Sequence, residues 1–324
     1  MISHRSVDGV ASLPGWCGQV TRRGFLAATA AIRLAGATER PIRLGAKVFL
    51  KSADPVLLAR EHRRLGYRAA FCPEADPSDR ERIRAIEKAF AAEDVLLAEV
   101  GAWRNLLDPE LVKRKANLEY VTQRLVFAER VGALCCVDCA GSFAAPSDPK
   151  RMFGPHPRNL SKEFFDGTVE NCRRIIDAVK PKRTRFAIEM MGWTLPDGPD
   201  SYLELFKAVD RKEFGVHMDP FNSIVCPRRF YESGKFIREC FAKLGSWIVS
   251  CHAKDLEWVP DSSIHFREVA PGRGGIDLKA YLTEISKLPR ETPLLIEHLP
   301  TTEAFEEGKQ HLWKAGAEAG VKFL

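Results

Sequence analysis

From residue 43 onward the chain alternates short apolar runs, rich in Val, Ile, Phe and Cys, with longer charged segments of helical period. The runs predict strands over 43–50, 67–72, 95–102, 134–138, 185–190, 214–218, 247–252 and 293–298. The amphipathic stretches between and after them predict helices over 55–65, 80–92, 111–131, 163–179, 202–209, 230–244, 278–288 and 302–319. Ser201, Ser233 and Thr301 stand near expected helix starts, and Gly66, Gly132 and Gly245 where helices should stop. Strict alternation of strand and helix implies parallel strands. A doubly wound sheet would carry a Gly-rich phosphate loop after its first strand, whereas Lys47 to Lys51 runs into Ser52-Ala53-Asp54-Pro55 without one. The expected fold is therefore an α/β protein, a (β/α)8 TIM barrel, with residues 41–324 as one catalytic domain.

Residues 1–40 stand apart. Thr21-Arg22-Arg23-Gly24-Phe25-Leu26, a short apolar stretch and Ala35-Gly36-Ala37 have the pattern of a twin-arginine export signal with a small-residue cleavage site. Its use would place the folded protein in the periplasm. A plain basic leader is the alternative, because Arg33 interrupts the apolar stretch, and the protein would then be cytoplasmic. No apolar run approaches the roughly eighteen residues of a spanning helix, so no integral membrane segment is expected.

Of the 324 residues 45% are hydrophobic, ample for a buried core. Lys plus Arg number 49 against 43 Asp plus Glu, but much of that excess lies in the leader, so the charge gives little reason to expect nucleic acid as a partner. The nine cysteines form no CxxC framework and mostly fall inside apolar runs, which reads as buried thiols.

In a TIM barrel the chemistry sits at the C-terminal ends of the strands. Four late strands end on polar residues: Glu189 after Phe186-Ala187-Ile188, Asp219 after Val216-His217-Met218, His252 after Ser250-Cys251, and Glu297 after Leu294-Leu295-Ile296. Any one of these carboxylates alone is more readily a helix cap or an ion-pair partner. Three carboxylates converging on one mouth with an imidazole would repel each other unless a cation joined them. Three oxygens and one nitrogen suit one divalent metal, Mn²⁺ above all, with Mg²⁺, Co²⁺, Fe²⁺ or Zn²⁺ open. The absence of thiolates speaks against a structural zinc site.

The segments Ala187-Ile188-Glu189, His217 to Asn222, Cys251-His252-Ala253-Lys254-Asp255, Ala270-Pro271-Gly272-Arg273-Gly274 and Leu295-Ile296-Glu297 resemble the xylose-isomerase-like TIM barrels. That family includes sugar and sugar-phosphate isomerases and epimerases and their AP-endonuclease relatives. The resemblance runs from about Ile42 to the C-terminus. It implies that Glu189, Asp219, His252 and Glu297 hold the metal and that Glu189 and Glu297 also carry the substrate proton. The implied activity is a metal-dependent isomerase or epimerase working through an enediolate on a keto-sugar or related polyol. A histidine common in these epimerases three residues after the aspartate is replaced here by Asn222, which hydrogen-bonds but does not titrate, so the resemblance stops short of one reaction.

Around the quartet, Asn222, Lys254, Arg267 and Trp103 are candidates for binding the sugar, with Trp193 and Trp258 as further stacking surfaces. Arg267 reads equally as a solvated loop charge, and His217 as a satisfied core histidine. Lys254 could instead pair with Asp255 or Glu297. The same centre would serve a lyase or dehydratase that expels a substituent from a keto-sugar, keto-glycoside or inosose. A phosphodiesterase of the AP-endonuclease type would need clustered metals, for which the first half offers Glu99 and Asp138 with no histidine at those strand ends. A barrel that binds a ligand without turning it over is the remaining alternative.

Overall fold

The computed structural model describes residues 40–147, 153–288 and 291–324. The expected leader, apart from Arg40, lies outside the described residues, as does Cys17. The barrel begins with β1 (Arg43–Ala46), β2 (Ala69–Phe71), β3 (Leu96–Gly101), β4 (Cys135–Asp138), β5 (Arg185–Glu189), β6 (Phe214–Met218) and β7 (Ile248–Ala253). A hairpin of β8 (Asp255–Val259) and β9 (His265–Val269) follows, and β10 (Pro293–Ile296) completes the barrel. Around the closed barrel the order is β1-β10-β7-β6-β5-β4-β3-β2, every pair parallel. This is the (β/α)8 architecture that strand–helix alternation predicts. The antiparallel hairpin is an addition to that plan, inserted between β7 and the next helix.

The helices are α1 (Pro55–Arg64), α2 (Arg80–Ala92), α3 (Leu111–Val131), α4 (Lys162–Val179), α5 (Pro199–Val209), α6 (Pro227–Tyr231), α7 (Ser233–Leu244), α8 (Leu278–Ser286) and α9 (Thr302–Ala319). Their starts are chemical: the side chains of Asp54, Asp79, Ser161, Asp277 and Thr301 accept first-turn N–H groups of α1, α2, α4, α8 and α9. Several expected boundaries shift: the strands expected over 43–50, 67–72 and 293–298 are shorter, and two helix starts or spans differ. Ser201 is the third residue of α5 rather than its start, its hydroxyl accepting from the Asp197 and Gly198 N–H groups. The helix expected over 230–244 is divided because Glu232 leaves helical geometry, with φ −106° and ψ 32°. None of the described helices is long and apolar enough to cross a membrane. The eight described cysteines are unpaired, seven of them buried.

The main apolar core unites strand residues such as Leu44, Val100 and Ile188 with helix residues such as Phe90, Phe127 and Phe305. Two small clusters, Ala69–Ala98–Leu295 and Cys135–Ala187–Val249, stand apart from it. Two register irregularities matter for function. Between β2 and β3 the pairing jumps from Ala70–Leu97 to Phe71–Glu99, leaving Ala98 as an extra residue. Between β6 and β7 it jumps from Val216–Ile248 to His217–Ser250, leaving Val249 extra. Such bulges re-aim the side chains that follow them.

Candidate metal centre

Glu189 closes β5, Asp219 follows β6, His252 lies in β7 and Glu297 follows β10, so the quartet comes from four neighbouring strands of the barrel. All four are buried, and one ligand atom from each lies within 4.8 Å of the others. His252 Nδ1 is the focus: Glu297 Oε2 is 2.8 Å away, Glu189 Oε1 3.1 Å and Asp219 Oδ2 4.0 Å. Lys254 shares the inward face with His252, two residues on, and its ammonium is 2.7 Å from Asp219 Oδ2 and 2.5 Å from Glu297 Oε1. It therefore pairs with Glu297 and Asp219 and not with Asp255.

A second carboxylate layer lies at β3. Glu99 is fully buried and bonds two imidazoles, with Oε1 3.0 Å from His252 Nε2 and Oε2 3.0 Å from His217 Nε2. Ser250, which faces His217 across the β6–β7 ladder, donates its hydroxyl to the same Oε2 at 3.0 Å. Leu96 and Ala98 belong with Leu295 to one packing cluster, so strict alternation would turn Glu99 away from it; the extra residue at Ala98 turns it back. His217 is thus a buried histidine bonded at one nitrogen, as expected, but its Nδ1 has no hydrogen bond. No histidine stands at the β3 or β4 ends, as expected, but His217 and His252 reach Glu99 from β6 and β7.

Protonation follows from these distances. Burial lowers the His252 pKa, but Glu297 and Glu99 outweigh it and hold the imidazole protonated well above its ordinary range. Burial likewise acts against the Lys254 charge, and Asp219 and Glu297 reverse the effect. Burial pushes Asp219 up to about 7, with Lys254 opposing and Glu297 and Glu189 adding to the rise. Glu297 moves the other way: burial raises it, and His252 with Lys254 hold it well below the usual carboxylate range. The pull of carboxylates on a single imidazole proton fits a cation site, and so does Asp219 Oδ2, buried without a well-directed hydrogen bond despite the nearby ammonium. A divalent cation would replace the proton on Nδ1, with Glu189, Asp219, His252 and Glu297 as its ligands. Glu99, accepting a hydrogen bond from Nε2–H, fixes the tautomer that leaves Nδ1 free.

Other candidates divide. Trp103 lines a cavity of about 480 Å³ that opens onto His252 and Glu297. Trp193 is 42% exposed beside Phe153, and Trp258 stacks on Tyr231 along the hairpin. Arg267 is not brought to the centre. Its neighbour Glu268 reaches Lys254 and His298, so alternation along β9 turns Arg267 away, to an ion pair of 2.6 Å with Glu257. Asn222 sits in the short 3-10 turn Pro220–Ser223, where its backbone N–H meets Asp219 Oδ1 at 3.4 Å. Asp138 anchors backbone through Oδ1, which accepts from the Arg104 and Cys139 N–H groups at 2.8 Å. Burial lifts its carboxyl well above the usual range, against those two bonds.

Two residues were not singled out by sequence reasoning. Cys139, just past β4, directs its thiol at Glu189 Oε2 from 3.9 Å, and burial holds that thiol protonated. His298, after Glu297, bonds Glu268 Oε1 through Nδ1 at 2.9 Å. The motif around residue 272 finds its purpose in Asp255, whose carboxylate accepts from the N–H groups of Gly272, Leu256 and Ile276. A Cβ at Gly274 would lie 2.4 Å from Asp255 Oδ1 and 2.2 Å from the Leu256 carbonyl, so glycine is required for this closure.

Fold and site together define a (β/α)8-barrel protein with a carboxylate–histidine centre at its strand ends. The chain belongs to the xylose isomerase-like TIM barrel family, whose model matches residues 59–315. No curated protein matches it. Among solved structures, a xylose isomerase domain protein from Planctomyces limnophilus is 18% identical with a TM-score of 0.59, covering 87% of this chain and 98% of that one. A xylose isomerase-like TIM barrel protein from Mycobacterium smegmatis, solved in complex with magnesium, is 16% identical with a TM-score of 0.59, covering 87% and 98%. D-psicose 3-epimerase from Clostridium cellulolyticum H10, solved with D-tagatose, is 14% identical with a TM-score of 0.61, covering 86% and 99%. At these identities the likeness is one of fold.

Proposed function

We propose that this protein is a metal-dependent isomerase or epimerase that moves a proton on the carbon beside the carbonyl of a keto-sugar or related polyol. The observation that carries the reading is the meeting of Glu189 and Glu297, from strands separated by β6 and β7, at one imidazole nitrogen. A bound divalent cation, Mn²⁺ in this reading, supplies polarisation of a carbonyl and stabilisation of negative charge on oxygen. The proton work falls to the carboxylates. Glu189, oriented by the Cys139 thiol, accepts a proton from one face of the sugar, and Glu297, held ionised beside Lys254, must first take a proton from solvent before returning it to the other face. Return to the same carbon inverts it; return to its neighbour interconverts ketose and aldose. Lys254, with Nζ between Asp219 and Glu297, offsets negative charge that the ligands alone would accumulate.

The test is solvent exchange. The Mn²⁺-loaded protein is incubated with unphosphorylated keto-sugars in D2O and followed by NMR. Deuterium entering a carbon next to the carbonyl without loss of a substituent supports the reading. Release of a substituent would point to the lyase or dehydratase alternative. Glu189→Gln and Glu297→Gln should each slow exchange by about 10²–10⁴. Exchange at the wild-type rate in both variants would defeat the assignment.

A further inference from the structure

The arc of the barrel mouth from β10 through β1 and β2 to β3 opens into the cavity of about 480 Å³ beside His252 and Glu297. Its walls are Phe71 at the end of β2, Trp103 after β3, and Leu299 and Phe305 after β10. Phe71 lies 6.0 Å from the His252 ring, centroid to centroid, so apolar surface begins directly at the centre. It continues outward: Phe305 packs on Phe49 at 5.9 Å, and Phe49 is 40% exposed.

Polar tips in this arc are few and engaged. Lys47 Nζ sits over the Phe49 ring at 5.1 Å, and His298 is held between Glu268 and Glu297. A sugar hydroxyl needs directed partners and a phosphate needs convergent cationic or N–H donors, and this lining offers neither in number. Trp103 and His298, which both line the cavity, hold left-handed backbone, with φ of 44° and 59°. Such conformations in bulky residues persist where surrounding structure enforces them, commonly at ligand sites.

We propose that this cavity is an apolar subsite that takes an aryl substituent carried by the sugar whose keto-diol portion meets the centre. This rests on the proton-transfer reading for the identity of the sugar, but the subsite is tested by binding alone. The Mn²⁺-loaded full chain is titrated calorimetrically with the phenyl and methyl glycosides of 3-keto-β-D-glucopyranose and with glucose 6-phosphate. The phenyl glycoside is expected to bind at least about tenfold more tightly than the methyl glycoside, in line with the roughly 10–200-fold discrimination a single apolar group gains in a matching pocket. Leu299→Asn, at a half-buried position, and Phe49→Ser, at an exposed one, should narrow that ratio toward one, with circular dichroism confirming the fold. Equal affinity for the two glycosides, no binding of the phenyl glycoside, or preference for the phosphate overturns the proposal. Tight phenyl-glycoside binding without deuterium exchange on any keto-sugar would keep the subsite and defeat the proton-transfer reading.

Discussion

Glu99 and His252 meet through Oε1 and Nε2 at 3.0 Å, on the opposite edge of the imidazole from the nitrogen that Glu189 and Glu297 approach. The pair joins the barrel interior to its mouth. A carboxylate on the outer nitrogen of a metal-binding histidine fixes its tautomer and raises its basicity. Glu99 also anchors His217 and Ser250, so one buried anion organises three strands.

Glu99→Gln keeps the volume but removes the charge, and it places an amide where two imidazoles expect an acceptor. Loss of such a partner typically costs about 10–100-fold in metal affinity. Mn²⁺ titration by calorimetry should find a weakening in that range, with circular dichroism confirming the fold. Unchanged Mn²⁺ affinity would show that His252 is oriented by something else.

The quartet was legible because each member ends an apolar run, and runs of that kind mark strand ends in a barrel. Glu99 was not legible as its partner, because the extra residue at Ala98 breaks the period-2 rule by which a strand's inward face is read. Arg267 follows its alternative reading as a solvated charge, for a related reason. The hairpin that carries it has no place in a strand–helix alternation, and its own alternation gives the inward position to Glu268. Of the expected helix starts Thr301 caps α9, whereas Ser233 opens α7 without a side-chain cap bond. Ser201 misled because a hydroxyl at the third position can also reach back to the backbone ahead of the helix.

Metal addition should stabilise the fold. A ligand that binds only the native state contributes about 2.7 kcal/mol at one hundred times its Kd. At about 2–4 °C per kcal/mol for domains of up to some 250 residues, Mn²⁺ should raise Tm by several degrees and EDTA should reverse the gain. The Asp219→Asn variant, lacking a ligand and one of the crowded charges, should lose most of that shift. A wild-type Tm indifferent to Mn²⁺, Mg²⁺, Co²⁺, Fe²⁺ and Zn²⁺ would argue against a metal centre.

A separate pH effect arises at His62 on α1, far from any ligand in sequence. Its ring is buried and its Nδ1 donates to the Leu58 carbonyl at 2.9 Å. Burial lowers its pKa below the ordinary 6.5, outweighing hydrogen bonds to the Leu58 and Ala46 carbonyls. The unfolded chain therefore takes up a proton near 6.5 that the folded chain refuses. Stability from this group is complete above 6.5 and declines as pH falls from there toward the folded pKa, by up to about 1.4 kcal/mol for each unit of separation. Urea midpoints measured from pH 7.5 to 5.5 should fall more steeply in the wild type than in His62→Gln. Parallel profiles would remove His62 as a cause.

Gly101 closes β3 and is what lets Trp103 fold back over the strand end. A Cβ built there would stand 2.1 Å from the indole Nε1 and 2.9 Å from Cδ1, so Gly101→Ala cannot keep the indole where it is. The backbone of residue 101 has little freedom to yield, because Gly101 pairs with Val137 on β4 and its carbonyl accepts from Arg124 at 3.0 Å. Overpacking of this kind costs about 1–3 kcal/mol, within the stability of a domain this size, so the variant should fold with a lowered Tm. The indole should swing away from the cavity wall, shifting tryptophan emission and weakening phenyl-glycoside binding severalfold. Mn²⁺ affinity should hold, since the atoms nearest a Cβ at residue 101 all belong to Trp103. If instead Mn²⁺ binding and phenyl-glycoside binding fall together, Trp103 is supporting the centre itself, and the boundary drawn between metal site and apolar subsite is in the wrong place.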